Sequence, residues 1–244
     1  MHTNYNFSMK TFVIHPDRLK ERGEHIDRMM RSLGMDYEFV NEGHDEQHVQ
    51  TLLDQYMKDG REQLHHRIPR ALCTVSHFLA YERIVAEGLE GALVLEDDIA
   101  LDKNFVPLFE QSLAEYREHY ADKSIFISYE DSALRFVPHS QREKGRMLYP
   151  AKKGRMAGCY FVNFNAAKAI LEQLKAERCD LAIDWYHNDL IDKGLIACLW
   201  CQPTIATQGT FSGAFPSSLN NDGSFVHLRW VFKKNYKKML YWFR

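Results

Sequence analysis

The sequence predicts an α/β fold in which helices flank a mainly parallel central sheet. Short runs of consecutive apolar residues alternate along the chain with longer segments whose apolar residues recur at helical spacing. The chain has 244 residues, of which 45% are hydrophobic, and this is enough apolar material for one large core. Because no repeat and no Gly-, Ser- or Pro-rich linker interrupts the pattern, we expect a single domain.

The opening of the chain predicts a strand, a helix and a second strand. An apolar run over residues 12–14 is followed by Pro16, which is typical of a buried strand leading into a turn. Asp17 is expected to cap the helix that follows. A second strand is predicted over residues 37–40. The polar residues 42–50 after it are expected to form a surface connection.

The middle of the chain predicts a long helix followed by a central strand. The helix is expected over residues 69–88, with Pro69 in its first turn and Gly88 at its end. Residues 91–95 are all apolar apart from the leading glycine, as in a strand covered on both faces. Further strands are predicted at 124–129, 159–163 and 196–201, and further helices at about 104–120 and 165–178.

Overall charge and cysteine content limit the class of protein. The chain carries 31 basic and 33 acidic residues, a net charge of -2, which argues against a surface built for nucleic acid. No run approaches the roughly 18 apolar residues needed to span a bilayer, and the first ten residues lack the apolar stretch of a signal peptide. Five cysteines without framework spacing indicate reduced thiols. We therefore expect a cytoplasmic protein.

Three carboxylates, Glu96, Asp97 and Asp98, directly follow the predicted central strand. The carboxyl edge of a parallel sheet is where open α/β folds bind their ligands. Successive residues of an extended chain point to opposite sides, so Glu96 and Asp98, with one residue between them, are expected to share a side. Such oxygen ligands suit Mn²⁺ or Mg²⁺. The alternative is an acidic loop that caps the next helix.

Four sequence blocks stand in order within residues 10–210. They are TFVIHPDR over 11–18, CTVSHFLAYERIVAEG over 73–88, ALVLEDD over 92–98 and GCYFVNFNAAKAIL over 158–171. In content, order and spacing these blocks resemble glycosyltransferase family 25, the lipooligosaccharide and procollagen galactosyltransferase group. Several ordered blocks are much more specific than one motif alone.

The resemblance implies a GT-A-like domain, which we place over residues 1–222. It implies transfer of a hexose, galactose from UDP-galactose above all, with inversion at the anomeric carbon. The partners would be a UDP-sugar donor and an oligosaccharide or glycolipid acceptor such as lipooligosaccharide. Mn²⁺ or Mg²⁺ held by Glu96 and Asp98 would neutralise the diphosphate of the leaving UDP. The alternatives are transfer of glucose or another hexose, and a non-catalytic carbohydrate-binding protein of the same fold.

Four residues are assigned to donor binding through the resemblance: Arg18, Ser76, His77 and Asp97. Arg18 would pair with a phosphate or contact the nucleotide, and its alternative role is an exposed charge at a helix start. Ser76 and His77 would support the donor from within their helix. Alternatively, Ser76 bonds back along that helix and a carbonyl satisfies His77. Asp97 would help directly or from behind the metal ligands.

Inversion by direct displacement needs a base for the proton of the acceptor hydroxyl. Asp184 is the closest match to the family's acidic residue at this point of the chain, and its alternative role is a helix N-cap. His187 is assigned as a third metal ligand or an alternative base, and Asp189 as a substitute base. Trp185 is expected to stack on an acceptor sugar or to belong to the core. Gln208 resembles a position near the acceptor.

The last segment, residues 223–244, differs from the rest in composition. It contains six basic residues and no acidic one, so the remainder of the chain carries -8. Aromatic residues interleave with these charges, as in segments that lie on an anionic membrane surface, and we assign that contact to residues 229–244. The alternative is a terminal helix docked on the fold with its lysines in water. We expect a bacterial enzyme at the inner face of the cytoplasmic membrane. The basic residues are Arg229, Lys233, Lys234, Lys237, Lys238 and Arg244.

Overall fold

A computed structural model describes residues 7–43, 45–58, 68–209 and 225–243 of the chain. Seven strands in these ranges form one sheet, in the order β2-β1-β3-β7-β5-β8-β6, and two short strands, β4 and β9, form an antiparallel pair. The strands are β1 (Thr11–Ile14), β2 (Glu38–Val40), β3 (Gly91–Glu96), β4 (Ile99–Leu101), β5 (Ile125–Ser128), β6 (Leu148–Ala151), β7 (Cys159–Asn163), β8 (Ala197–Cys201) and β9 (Ala206–Gln208).

The α/β prediction is confirmed, and the large sheet is mixed. Five of its seven strands run in one direction, because β7 is antiparallel to both of its neighbours and β6 is antiparallel to β8. Most strands of the sheet therefore run parallel to one another. Of its six pairs of neighbouring strands, however, three are parallel and three are antiparallel. The two reversed strands bring their amino ends to the edge where the other five strands end.

Helices cover both faces of the large sheet. In the described ranges they are α1 (Lys20–Leu33), α2 (Glu46–Tyr56), α3 (Ile68–Ala86), α4 (Phe105–His119), α5 (Phe164–Ala176), α6 (Ile183–Asp192) and α7 (Phe225–Trp242). None of these described helices is both long enough and apolar enough to cross a membrane. The alternation along β3 shows the layering: Val94 packs with α3 and α5, and Leu95 packs with α1 and α4. Burial of each such side chain stabilises the folded state by about 1.5–3 kcal/mol.

Two predictions about the first helices are wrong. Asp17 does not cap α1: the Leu19 N–H bonds the carbonyl of Pro16, so a turn separates Asp17 from the helix and Leu19 occupies the N-cap. The polar segment predicted as a surface connection instead contains the start of α2. Asp45 caps that helix by accepting a hydrogen bond from the His48 N–H at 2.6 Å. A narrow buried stripe leaves most of α2 exposed, which explains its polar sequence.

The order of the first three strands creates a crevice. β1 lies between β2 and β3 in the sheet, so the connection from β1 to β2 and the connection from β2 to β3 run in opposite directions across the sheet. Open α/β sheets bind ligands at such a switch point, outside the carboxyl ends of the strands. His15 follows β1 at this edge, and Asp97 follows β3. The fold thus brings the acidic strand end to the place where a ligand site is expected.

The C-terminal helix α7 docks on the segment that follows β5. Trp230 is buried against Leu134 and Phe136. Lys234 Nζ lies 2.6 Å from Asp131 Oδ2, so an ion pair adds to the apolar contact. The alternative of a terminal helix docked on the fold is confirmed for this side of α7, except that Lys234 is paired with Asp131 rather than in water.

Candidate active site

Glu96, the last residue of β3, lies between α3 and Gln208. Its Oε1 atom is 3.6 Å from His77 Nε2 and 4.0 Å from Cys73 Sγ. Its Oε2 atom accepts a hydrogen bond from Gln208 Nε2 at 2.8 Å. A Cβ atom at Gly158 would lie 2.8 Å from Gln208 Cγ, so the glycine leaves the space that Gln208 occupies. The Glu96 carboxylate is therefore oriented from two sides.

Asp97 lies in the turn directly after β3 and points to the opposite side of the sheet. Its two oxygens contact Arg22 Nη1 at 2.8 Å and His15 Nδ1 at 2.9 Å. Asp98 Oδ2 lies 3.9 Å from the same Arg22 nitrogen. His15 and Arg22 were not among the predicted site residues. His15 directly follows an apolar strand, a position that could have identified it, but Arg22 lies in a polar helix start without such a signal.

Ser76 is buried on α3 and joins two parts of the chain. Its hydroxyl lies 3.0 Å from both the Leu72 carbonyl and Glu42 Oε2. The first contact is the local bond expected for a helical serine. The second brings a buried carboxylate from the chain after β2 toward α3. No functional role was predicted for Glu42, because the segment that contains it is polar and resembles a surface loop.

A chain of hydrogen bonds between four buried rings runs from His77 to His187. His77 Nδ1 is 2.7 Å from the Tyr160 hydroxyl, which is 2.6 Å from the Tyr81 hydroxyl. The Tyr81 hydroxyl is in turn 2.6 Å from His187 Nε2. Burial, with a smaller contribution from the nearby His77 ring, holds the pKa of His187 well below its usual range, so its imidazole is neutral. The structure thus joins His187 to His77 through two tyrosines rather than directly to Glu96.

Asp184 lies in the first turn of α6 and is half-buried. Ala182 is the N-cap of that helix, so the alternative role of Asp184 as the cap is wrong. Burial raises the pKa of the Asp184 carboxyl, and the negative charge of Glu96 raises it further. The two carboxylates are therefore close enough to interact electrostatically. Asp189 instead pairs with Lys193, their charged atoms 2.7 Å apart.

Two predicted residues lie at the surface. Arg18 is exposed in the turn between β1 and α1. Trp185 follows Asp184 on α6 and is 67% exposed, so its prediction as a core residue is wrong. The other predicted residues at the end of β3 are gathered on its two sides. Glu96, His77 and Gln208 meet on one side, and Asp97 lies on the other. Asp98 was expected to share a side with Glu96, but its Oδ2 atom faces the Arg22 that binds Asp97, because the chain turns after β3.

Two further ionisable groups lie buried behind the site. Glu130 Oε1 accepts a hydrogen bond from the Gly158 N–H at 2.6 Å, and burial raises the pKa of this carboxyl well above its usual range. Arg155 is fully buried, its guanidinium over the Trp200 ring, and burial lowers its pKa to about 10. Arg155 Nη1 donates to the Cys201 carbonyl at 2.8 Å. Neither group was predicted, because no local pattern distinguishes a buried charge from an exposed one.

Comparison with known proteins gives one family match. The model of glycosyltransferase family 25, described as an LPS biosynthesis protein, matches residues 8–187. No curated protein matches the chain significantly. The matched range covers well over half of the chain and includes Glu96 and Asp184, whereas Gln208 and α7 lie beyond it. The chain therefore belongs to glycosyltransferase family 25.

Proposed function

We propose that this glycosyltransferase transfers galactose from UDP-galactose, with inversion, to a membrane-anchored glycan such as lipooligosaccharide, and that its fold is GT-A-like. The observation that carries the proposal is the Glu96 carboxylate at the carboxyl end of β3, which Gln208 orients and which is close enough to half-buried Asp184 to raise the pKa of Asp184. A carboxylate suited to metal binding therefore lies at the carboxyl ends of the strands, and a carboxylate suited to proton transfer lies near enough to interact with it electrostatically. Inverting sugar transfer needs the base, and a bound cation would stabilise the leaving diphosphate.

Glu96 and Asp98 are the proposed ligands of Mn²⁺ or Mg²⁺. The donor set suits these ions, because both residues supply carboxylate oxygens. The surroundings are strongly negative: burial raises the pKa of the Cys73 thiol well above its usual range, and four carboxylates raise it further. Those carboxylates are Glu42, Glu96, Asp97 and Asp98. When bound, the cation neutralises the diphosphate of the leaving nucleotide. We retain His187 as the weakest candidate for a third ligand, since its Nε2 is hydrogen-bonded to Tyr81.

Donor binding is assigned to residues on both sides of β3. Asp97 is held by His15 and Arg22, so it acts from a fixed position beside the metal ligands. Ser76 and His77 hold the α3 side of the crevice through their buried hydrogen bonds. Arg18, exposed in the turn after β1, is free to meet a phosphate of the nucleotide as it binds.

Asp184 is the proposed base. Its carboxylate takes the proton of the acceptor hydroxyl while that oxygen bonds to the anomeric carbon and UDP leaves from the opposite face. The raised pKa makes this carboxylate a stronger base than an exposed one. Trp185, exposed beside it, offers its ring to the acceptor sugar. Gln208, which we also assign to the acceptor side, holds the Glu96 carboxylate.

Helix α7 is the proposed contact with an anionic membrane surface at the inner face of the cytoplasmic membrane. One stripe of its apolar residues is between 51% and 80% exposed, about half a turn around the helix from buried Trp230. The stripe consists of Phe232, Tyr236 and Met239, and Phe243 extends it just beyond the end of the helix. Exposed Lys233 lies beside it and would face anionic headgroups. The side chains of Arg229 and Arg244, which belong to the same predicted surface, lie outside the described residues.

The reaction is tested by incubating the full chain and Mn²⁺ with a panel of UDP-sugars, with and without oligosaccharides prepared from lipooligosaccharide. We expect UDP release from UDP-galactose that increases with acceptor and stops when a chelator removes the metal. Release from UDP-glucose or another UDP-hexose instead would replace the donor assignment. Metal-dependent UDP-sugar binding without release at any acceptor would favour the non-catalytic binding protein.

A further inference from the structure

Cys73, His77 and Glu96 bring three different metal-binding atoms together. Their sulfur, nitrogen and oxygen atoms all lie within 4.8 Å of one another, and within the described ranges no other group of three or more such side chains does so. Cys73 and His77 are one helical turn apart on α3, and Glu96 reaches them from the end of β3. The cluster is therefore built on two rigid elements rather than on a loop.

The imidazole of His77 points an unused nitrogen into this cluster. His77 is fully buried, and among the described residues its Nε2 atom has no hydrogen-bond partner. Such an atom costs free energy unless something else binds it. The opposite ring nitrogen, Nδ1, is 2.7 Å from the Tyr160 hydroxyl. If Nδ1 donates that bond, Nε2 presents a lone pair toward Glu96, the arrangement found in metal-binding histidines.

We propose that Cys73, His77 and Glu96 bind Zn²⁺ as the three protein ligands of a tetrahedral site whose fourth position is open to water. Zinc bond lengths place tetrahedral ligand atoms about 3.3–3.7 Å apart. The observed separations of 3.6 Å from nitrogen to oxygen and 4.0 Å from sulfur to oxygen need only a small contraction. Gln208 and Tyr160 already orient Glu96 and His77, as supporting residues do around bound metals.

The charges of the ligands favour Zn²⁺ over Mn²⁺ or Mg²⁺ at this cluster. Cys73 binds as the thiolate, and its proton passes to solvent as the metal–sulfur bond forms. The thiolate and the Glu96 carboxylate then neutralise a dication, which suits a buried position. Thiolate and imidazole ligands select Zn²⁺, whereas Mn²⁺ and Mg²⁺ prefer oxygen. The proposed Zn²⁺ ligands therefore differ from Glu96 and Asp98, the proposed ligands of Mn²⁺ or Mg²⁺.

Sharing of Glu96 gives the zinc site a consequence for catalysis, and this step rests on the proposed function. When Glu96 binds Zn²⁺ together with Cys73 and His77, it can no longer bind the Mn²⁺ or Mg²⁺ that accompanies the UDP-sugar. Zn²⁺ is therefore expected to inhibit transfer, and Mn²⁺ in excess to relieve the inhibition. Zinc binding itself requires neither donor nor acceptor, so it is measured independently of the reaction.

The test uses Co²⁺ as a spectroscopic probe of the full chain under reducing conditions. We expect one equivalent of Co²⁺ to produce a thiolate-to-cobalt charge-transfer band and the intense visible bands of a tetrahedral site, and Zn²⁺ to abolish both. Cys73→Ser should remove the charge-transfer band. Cys179→Ser, a control at a buried cysteine outside the cluster, should keep it. Tyr160→Phe should weaken metal binding about 10–100-fold.

A second measurement uses the unaltered protein. Cys73 is partly exposed, whereas the other four cysteines are buried, so Cys73 is the thiol most accessible to a reagent in the folded protein, although its raised pKa slows the reaction. One equivalent of Zn²⁺ should protect Cys73, as followed by mass spectrometry. A charge-transfer band that persists in folded Cys73→Ser, or Cys73 modification that is unaffected by Zn²⁺, would overturn the zinc site. Neither result depends on whether the protein releases UDP.

Discussion

Two carboxyl groups, Asp184 and Glu130, have pKa values raised mainly by burial, but their surroundings differ. Asp184 is half-buried beside exposed Trp185, so solvent and an acceptor can reach it. Glu130 is fully buried, and its Oε1 atom accepts from the Gly158 and Cys159 N–H groups. A raised pKa alone therefore does not identify a base. The partial exposure of Asp184 distinguishes it, since the charge of Glu96 raises the pKa of both carboxyls.

Asp184→Asn is expected to lower the rate of transfer by about 10²–10⁴-fold, because the amide cannot take the acceptor proton. UDP-sugar affinity should be retained, as measured by calorimetry. In the unaltered protein transfer should fall as pH decreases through the pKa of Asp184, since only the ionised form is a base. That loss should set in above the ordinary value of 3.8, because burial raises the pKa. Unchanged turnover in the variant would exclude Asp184 as the base.

Glu130→Gln tests the cost of burying an ionisable group. The folded state holds the Glu130 proton more tightly than the unfolded state, whose pKa is near 4.5. The folded protein should therefore lose stability as pH rises from about that value through the folded pKa. Urea unfolding at a series of pH values should show a smaller loss in Glu130→Gln. Glu118→Gln, at an exposed side chain on α4, should follow the unaltered protein, and identical curves for all three would contradict the prediction.

The strands were easier to predict than the short elements beside them. The apolar run that ends at Glu96 and the strand over residues 159–163 were predicted nearly to the residue, because burial on both faces leaves a continuous local pattern. The pair β4 and β9 was missed, since each strand is only three residues long and the two lie far apart in the chain. Asp97 and Asp98 therefore lie in a turn between two strands rather than before a helix.

Gly91→Ala tests the close contact between β3 and β7. A Cβ atom at Gly91 would lie 2.5 Å from Phe161 Cζ and 2.6 Å from the Val162 carbonyl oxygen, so one strand must shift. We expect the free energy of unfolding to fall by about 1–3 kcal/mol, measured by urea denaturation. Gly154→Ala is the matched control, because its Cβ meets only ordinary contacts at 3.5 Å or more. Equal midpoints for the two variants would show that the strands adjust without cost.

At the scale of the whole molecule, charge is divided between the C-terminal segment and the rest. Residues 223–244 carry +6 and the remainder carries -8, although the net charge is only -2. The structure shows α7 docked through Trp230 and Lys234 with an apolar stripe facing outward, so docking and a surface contact are compatible. The division into a domain over residues 1–222 and a separate segment stays a prediction.

Membrane binding is predicted to combine charge and apolar contact. Full-length protein should bind vesicles containing anionic lipid, more weakly as salt is raised, and should not bind neutral vesicles. The double variant Phe232→Ser/Tyr236→Ser should bind several-fold less in a sedimentation assay. Leu195→Ser, which alters a partly exposed apolar residue outside α7, should not change binding. Equal binding by the double variant would assign the outward face of α7 another role.

The amino-acid sequence by itself determined the order of the main elements and the position of the acidic strand end. Both depend on patterns within a few residues, namely helical or extended spacing and the point where an apolar run stops. The tertiary structure alone decided the partners of those groups. His77 meets Tyr160, 83 residues away, and Glu96 meets Gln208, 112 residues away. These contacts depend on strand order and direction, which local patterns do not encode.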